Sequence, residues 1–264
     1  MKHTMVVLTL SLLVLKLWAG TIIDDFEDGD FNGWRSARFH GGERSEWVVK
    51  NGELVFTAQN FCRTGSALGI GDETWIDYEF SAQFSLRKTF PICSGGWLPA
   101  IGIGIHSNVA ETGTMRPEKN QWVWTGVINR QTNLGNDGWN RKQCEVWLPP
   151  VYAIAPNKGE FATKPRRWYT LRLIANIVGN LTVYRALIDE KLLCDFDIET
   201  PLKEGERLNT GGAFLYVRNA EVRFDNVVIS GETIPDLDMN EFVALSVSPG
   251  GKLTTMWGEL RQHR

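Results

Sequence analysis

The sequence has little excess charge of either sign. Its 264 residues include 28 Lys and Arg against 31 Asp and Glu, which gives a net charge of −3 with the four histidines neutral. Because no run of basic residues offers a patch for a phosphate backbone, the composition argues against a nucleic-acid partner. The hydrophobic share of 43% argues against a disordered chain.

Long hydrophobic runs are scarce, and the one present lies at the N-terminus. Residues 1–20 carry Lys2 and His3 near the start, continue through the apolar stretch Met5–Leu15 and end on Ala19 and Gly20. This pattern is typical of a secretory signal peptide, because the run is shorter than a bilayer span and Lys16 interrupts it. We therefore expect cleavage near Ala19 or Gly20, a secreted or periplasmic protein, and no transmembrane segment.

Cysteine is also scarce, and the sequence contains no C-x-x-C pair that would indicate a zinc site. In an oxidising compartment, four cysteines predict two disulfides, with three connectivities open. Buried free thiols are the alternative. The cysteines are Cys62, Cys93, Cys144 and Cys194.

Helical periodicity is missing, since no segment of twelve or more residues repeats apolar positions every 3.6 residues. Strand patterns take its place. In the segment WVVKNGELVF, Asn51-Gly52 separates two apolar pieces and predicts a β-hairpin, and in WIDYEFSAQFSL apolar and polar residues alternate from Ile76 to Phe84. The class is all-β, and many antiparallel strands favour a two-sheet sandwich or jelly roll.

The chain divides into three parts after these assignments. A sandwich domain spans 21–231 and follows the signal peptide, and a C-terminal tail spans 232–264. The tail is interpreted either as an extra strand or short amphipathic helix on the sandwich, or as a segment for surface attachment or export. Within the domain, residues 87–165 are rich in Gly, Asn, Trp and Pro, and such loop-rich segments often carry binding groups.

Four segments in order resemble the concanavalin A-like jelly rolls, in particular the laminin-G-like group that includes the 3-keto-disaccharide hydrolase family. They read TIIDDFEDGDFNGW, WIDYEFSAQF, RWYTLRLIANIVGNLTVYRALIDEKLL and GGAFLYVRNAEVRFDNVVIS. The resemblance implies a jelly-roll β-sandwich of two antiparallel sheets. It says less about activity, because this fold carries lectins, carbohydrate-binding and adhesion modules and glycosidases. The matching positions are Trp168, Tyr169, Leu171, Gly179, Val183, Asp189, Phe224, Asp225, Asn226 and Val227.

No catalytic residue is assigned. The E-x-D-x-x-E strand that family 16 glycosidases use is missing, and so is a G-x-S-x-G nucleophile motif. His106 adjoins an apolar strand, where we expect a solvent-facing position. A glycoside or 3-keto-disaccharide hydrolase stays open as an alternative, with acids drawn from the loop-rich segment: Glu111, Glu118, Asp137 and Glu145.

Sugar binding has better support, since indole rings stack on the apolar faces of pyranoses and amides and carboxylates bond their hydroxyls. Trp122 and Trp124 share one strand face, which is either core or binding surface. The main expectation is an exported protein that binds a polysaccharide or glycoconjugate through exposed rings; a protein-binding adhesion module is a further alternative. The candidate residues are Trp97, Trp122, Trp124, Trp139, Asn136 and Asp137.

A metal site is the last expectation. Asp25 and Glu27, in the acidic segment DDFEDGD, and Asp225 of the last core strand supply the oxygen ligands that Ca²⁺ prefers. Related jelly-roll modules often hold a structural Ca²⁺ between their first and last strands, so the resemblance supports a calcium site. A solvated acidic turn is the alternative interpretation.

Overall fold

The fold is given by a computed structural model, which is described for residues 20–39, 45–58, 65–89, 99–113, 121–128, 141–148, 151–154, 163–199 and 209–239. For residues 141–148 and 151–154 only the backbone is described. The described chain is mainly β-strand, with one short helix, α1 (Val109–Thr112). This helix is too short to cross a membrane.

The strands form two sheets, as the alternating patterns predict. The nine-stranded sheet has the order β13-β12-β11-β6-β15-β1-β16, with β4 also paired to β15 and β3 paired to β4. Its strands are β1 (Gly20–Asp24), β3 (Ser45–Val49), β4 (Leu54–Ala58), β6 (Tyr78–Thr89), β11 (Trp168–Val178), β12 (Leu181–Ile188), β13 (Lys191–Glu199), β15 (Ala220–Gly231) and β16 (Leu237–Asp238).

The seven-stranded sheet has the order β10-β9-β8-β7-β14-β5-β2. All its pairings are antiparallel; in the nine-stranded sheet β1 and β16 are parallel. Its strands are β2 (Arg35–Phe39), β5 (Gly65–Ile70), β7 (Ala100–Ser107), β8 (Trp122–Ile128), β9 (Arg141–Leu148), β10 (Val151–Ile154) and β14 (Gly212–Arg218).

The main core lies between the sheets and is built by the period-two alternation of the strands. On β6, Tyr78, Phe80, Ala82 and Phe84 are buried, as the sequence pattern predicts. The seven-stranded sheet contributes the facing residues, among them Ile101, Ile103, Ile105, Val123, Val127, Leu215 and Val217.

The predicted hairpin is confirmed. Strands β3 and β4 pair antiparallel, and Lys50 and Glu53 exchange backbone hydrogen bonds of 2.9 and 3.3 Å across the turn. Asn51 and Gly52 both have positive φ angles, 55° and 69°, which a two-residue turn matched to the twist of the strands requires.

Strand β15 pairs with two different strands along the same edge. Its first half pairs with β4 and its second half with β1, and its register shifts between Asp225 and Val228. Asn226, inside the shift, has a φ of 48°. The shift therefore leaves Asp225 at the place where β15 passes from one neighbour to the other.

The tail predicted from residue 232 onward starts as part of the sandwich. Ile234 and Met239 are buried in the main core, and β16 pairs with β1. Residues 232–239 thus follow the interpretation as an extra strand, and residues 240–264 lie outside the described chain.

Candidate functional site

A second hydrophobic cluster lies on the outer face of the seven-stranded sheet. Its members alternate along the strands with residues of the main core: Trp122 and Trp124 flank the core residue Val123, and Phe214 and Tyr216 flank Leu215. We call this group the outer aromatic cluster: Ala37, Ala67, Ala100, Val109, Trp122, Trp124, Phe214 and Tyr216.

Glycines let the aromatic rings lie against the sheet. A methyl group on Gly104 would stand 2.1 Å from a ring carbon of Phe214, and one on Gly102 would stand 2.7 Å from the indole of Trp124. The rings of Trp124 and Tyr216 contact each other, with centroids 5.6 Å apart. The glycines of the segment AIGIGI therefore allow the rings of Trp124 and Phe214 to pack directly against the sheet backbone.

Trp122 and Trp124 share a face, as predicted, and that face is not the main core. The expectation that their rings are open to solvent is wrong, because each is only 4% exposed. Aromatic side chains bury large apolar areas when they pack; here Trp124 packs beside Tyr216 and over Gly102, and Trp122 belongs to the same buried cluster. Their assignment to sugar binding stays a prediction.

Helix α1 covers one end of the cluster. Ala110 lies above Gly69 of β5, where an added methyl group would meet it at 3.1 Å, and the Arg35 guanidinium donates a 3.4 Å hydrogen bond to the Ala110 carbonyl. Asn108, before the helix, accepts a 3.2 Å hydrogen bond from the backbone of Gln121 at the start of β8.

An arginine borders the cluster at the far end of β14. The Arg218 guanidinium lies 6.0 Å from the centroid of the Tyr216 ring, and the side chain is half-buried. Guanidinium N–H groups donate hydrogen bonds in a fixed planar arrangement. The cluster is thus apolar in its centre, with donor groups of Arg35 and Arg218 at two sides.

The register of β9 brings an acidic position to the cluster. Glu145 pairs with Trp124, and Trp147 pairs with Trp122; directly opposed residues of antiparallel strands share a face. Of the four acids kept as catalytic alternatives, Glu145 is therefore placed beside the cluster. Only the backbone of Glu111 is described, in α1. Glu118 and Asp137 lie outside the described chain.

The other predicted sugar-binding residues cannot be placed. Trp97, Trp139, Asn136 and Asp137 all lie outside the described residues. The structure instead adds Phe214 and Tyr216 to the outer aromatic cluster. Neither of these two residues was identified from the sequence. The signal was present, since GAFLYV alternates aromatic with aliphatic residues and AIGIGI alternates glycine with isoleucine.

His106 is not solvent-facing, so that expectation is wrong. The register between β7 and β14 shifts near this residue, and its φ of 51° turns the ring into the main core. There Nδ1 lies 2.8 Å from the Tyr184 hydroxyl. The Tyr78 hydroxyl accepts a 3.0 Å hydrogen bond from the His106 backbone and donates one of 2.8 Å to the Gly211 carbonyl.

The tyrosines of this group are held in their neutral form. Burial raises the pKa of the Tyr78 phenol, and it also raises the pKa of the Tyr184 phenol well above its usual value. The group therefore links β6 and β12 to the bulge of β7 through the hydroxyl groups of its neutral tyrosines, which is a structural role between the sheets.

Two of the predicted calcium ligands, Asp25 and Glu27, act on the third, Asp225, through their charges. Burial raises the pKa of the Asp225 carboxyl, and the negative charges of Glu53, Asp25 and Glu27 raise it further. Among the described residues, however, no three acidic, histidine or cysteine side chains are grouped so as to hold one metal ion. No chemical step is derived through calcium, and the site stays a prediction.

Asp24, next to the predicted ligands, has a different role. Its carboxylate accepts hydrogen bonds from the Trp34 indole (2.7 Å) and the Phe26 backbone (3.0 Å). Burial outweighs these bonds and raises the pKa of Asp24 from 3.8 to about 6. The residue ties the end of β1 to the turn that follows it.

Comparisons with known proteins agree with the architecture. The profile of the family described as 3-keto-alpha-glucoside-1,2-lyase-like domain matches residues 21–230. The carbohydrate recognition domain of Emp47p superposes with a TM-score of 0.52 at 9% identity, over 82% of this chain and 96% of that one. Basic winged bean lectin with Tn-antigen gives 0.52 at 9% identity, over 81% and 98%.

A further lectin shows the same likeness. Winged bean acidic lectin complexed with methyl-α-D-galactose has a TM-score of 0.50 at 10% identity, over 81% of this chain and 99% of that one. At such identities the likeness shows the fold alone, and it confirms the predicted jelly-roll sandwich. No curated protein matches the sequence.

Proposed function

The chain belongs to the 3-keto-alpha-glucoside-1,2-lyase-like domain family, and on this premise we propose that it binds glycans, α-glucosides first among them, at the outer aromatic cluster. The observation that carries the proposal is the position of four aromatic rings outside the main core, on the outer face of a jelly-roll sheet. The class of sugar comes from the family description.

The composition of the cluster supports sugar as the ligand. Aromatic side chains offer apolar surface for the C–H groups of a pyranose, while Arg35 and Arg218 offer donors for its hydroxyls. Because Trp122, Trp124 and Tyr216 are each 4% exposed, the sugar meets the edges of these rings and the half-buried Arg218 beside Tyr216, and not an open platform of rings.

Calorimetric titration with maltotetraose tests this proposal. Trp122→Phe removes part of the indole surface while it keeps an aromatic ring, so we expect the affinity to fall about tenfold, which is about 1.4 kcal/mol. Cellotetraose, which is β-linked, serves as the comparison sugar, and a glycan array extends the screen to other linkages.

Trp168→Phe is the matched control. Trp168 is half-buried on the outer face of the other sheet, where the Arg223 guanidinium lies 5.1 Å from its ring centroid, and we expect this variant to bind like the wild type. Equal losses in both variants, with both melting temperatures unchanged, would contradict a site at the cluster. An array without any binding would favour the adhesion module.

A catalytic role is the second candidate, and the register position of Glu145 opposite Trp124 favours it. In a 3-keto-α-glucoside the carbonyl acidifies the proton on C2. A carboxylate that takes this proton lets its electron pair form a C1=C2 double bond as the glycosidic C1–O bond breaks, and the leaving oxygen is then protonated. The products are an unsaturated keto sugar and a free alcohol.

Product release from methyl 3-keto-α-glucoside tests this role. With Glu145 as the base, Glu145→Gln should lower the rate of methanol release at least 100-fold and leave maltotetraose binding in place. Glu46→Gln, at an exposed position of β3, is the control and should keep the wild-type rate. Binding without turnover in the wild type would exclude the lyase and leave the lectin-like function.

Export remains part of the proposal. Gly20 is the first residue of β1 and pairs with Gly231, so cleavage after Ala19 keeps this strand whole. The loss of residues 1–19 would therefore deliver the complete sandwich to the secreted or periplasmic side.

A further inference from the structure

The two sheets approach each other at one side of the sandwich through β9 and β13. β13 is the terminal strand of its sheet, and β9 is the last but one in the other. No hydrogen-bond ladder joins them among the described pairings, yet Cα atoms of the two strands come within 8 Å. A covalent link here would join edges that the backbone leaves separate.

Each of these strands carries a cysteine at an inward register position. Cys194 pairs with Ala186 of β12, and both are fully buried in the main core. Cys144 pairs with Thr125 of β8, which is fully buried between two core valines. Since opposed residues share a face, both cysteine positions belong to the layer between the sheets.

The state of the thiols adds an independent observation: no cysteine in the described part of the chain is free. We propose that Cys144 and Cys194 form a disulfide that ties β9 to β13. The two thiols lose two protons and two electrons to a disulfide-bonded oxidant protein of the exporting compartment, which is thereby reduced to its dithiol.

The bond fixes the strand that borders the candidate site. The Cys144 position pairs with the inward position Thr125, so the next position along β9, Glu145, is opposite Trp124 on the outer face. The bond also closes a segment of about 50 residues, long enough to restrict the unfolded chain substantially. It does not rest on sugar binding, so its test needs no ligand.

Tryptic mapping of the exported, unreduced protein tests the pairing directly. Cleavage after Lys and Arg, except before Pro, places the four cysteines in separate peptides, 51–63, 89–119, 143–158 and 192–203. We expect mass spectrometry to find 143–158 joined to 192–203, and the joined species to vanish on reduction. Peptide 192–203 joined to 51–63 or 89–119, or found as a free thiol, overturns the proposal.

Variants give a second measurement. Cys144→Ser, Cys194→Ser and the double variant should each lower the melting temperature by about 10 °C, with the double variant no worse than either single one. Additive losses would show two independent buried thiols and would also overturn the bond. If the single variants fail to fold, the wild type with and without reductant provides the same comparison.

Discussion

At the scale of single residues, Asp24 makes the stability of the protein depend on pH. Its pKa is higher in the folded protein, about 6 against 3.8, so the folded state holds the proton more tightly. Its contribution to the free energy of unfolding is complete below about pH 4 and is lost as the pH rises through about 6, a change of about 3 kcal/mol.

Asp24→Asn removes this titration. We expect the difference in unfolding free energy between wild type and variant to fall by about 3 kcal/mol from about pH 4 to about pH 7, measured by urea denaturation. Asp236→Asn, at an exposed position, should follow the wild-type profile. Parallel profiles for wild type and Asp24→Asn would show that burial of this carboxyl has no such effect.

The residue scale also shows where sequence reasoning ends. The acidic segment DDFEDGD predicts calcium ligands, and the charges of Asp25 and Glu27 act on the Asp225 carboxyl. It does not show that Asp24 is buried under Trp34, because that depends on the turn after β1. His106 was misplaced for a related reason: its inward ring follows from a register shift with β14, which lies more than 100 residues away in the chain.

At the scale of strands, the pairing of glycine with aromatic rings is the feature that builds the outer cluster. A methyl group on Gly104 would overlap the ring of Phe214, at 2.1 Å. Because Phe214 is fully buried, we expect Gly104→Ala to lower the free energy of unfolding by about 1–3 kcal/mol, measured by chemical denaturation.

A double variant separates the overlap with the Phe214 ring from a general effect of alanine on the strand backbone. Phe214→Leu removes the atoms that the new methyl group would meet, so Gly104→Ala should cost clearly less in that background. The same cost in both backgrounds would assign the loss to the backbone and not to the ring.

Strands are the level that the sequence predicts best. The alternation from Ile76 to Phe84 predicts β6, and Asn51-Gly52 predicts the β3–β4 hairpin, because both signals are local. The same alternation made Trp122 and Trp124 neighbours on one face. It could not show that Tyr216 packs beside Trp124, since β14 and β8 lie on either side of β7 only after the sheet forms.

At the scale of the whole molecule, the sandwich has two hydrophobic layers of different meaning. The main core between the sheets stabilises the fold. The family resemblance of the sequence already implied a sandwich with such a core. The outer aromatic cluster lies on the opposite face of the seven-stranded sheet and is formed by residues of the same strands. This cluster, which lies outside the main core, is the proposed link to carbohydrate.

The most direct test of that link is a nitrogen-15 spectrum of the indole N–H groups, recorded while maltotetraose is added. We expect the signals of Trp122 and Trp124 to shift and to saturate with the sugar, while those of the core residues Trp34, Trp47 and Trp75 stay in place. If the sugar binds by calorimetry and the signals of Trp122 and Trp124 do not move, the glycan site lies elsewhere and the proposed role of the outer aromatic cluster is wrong.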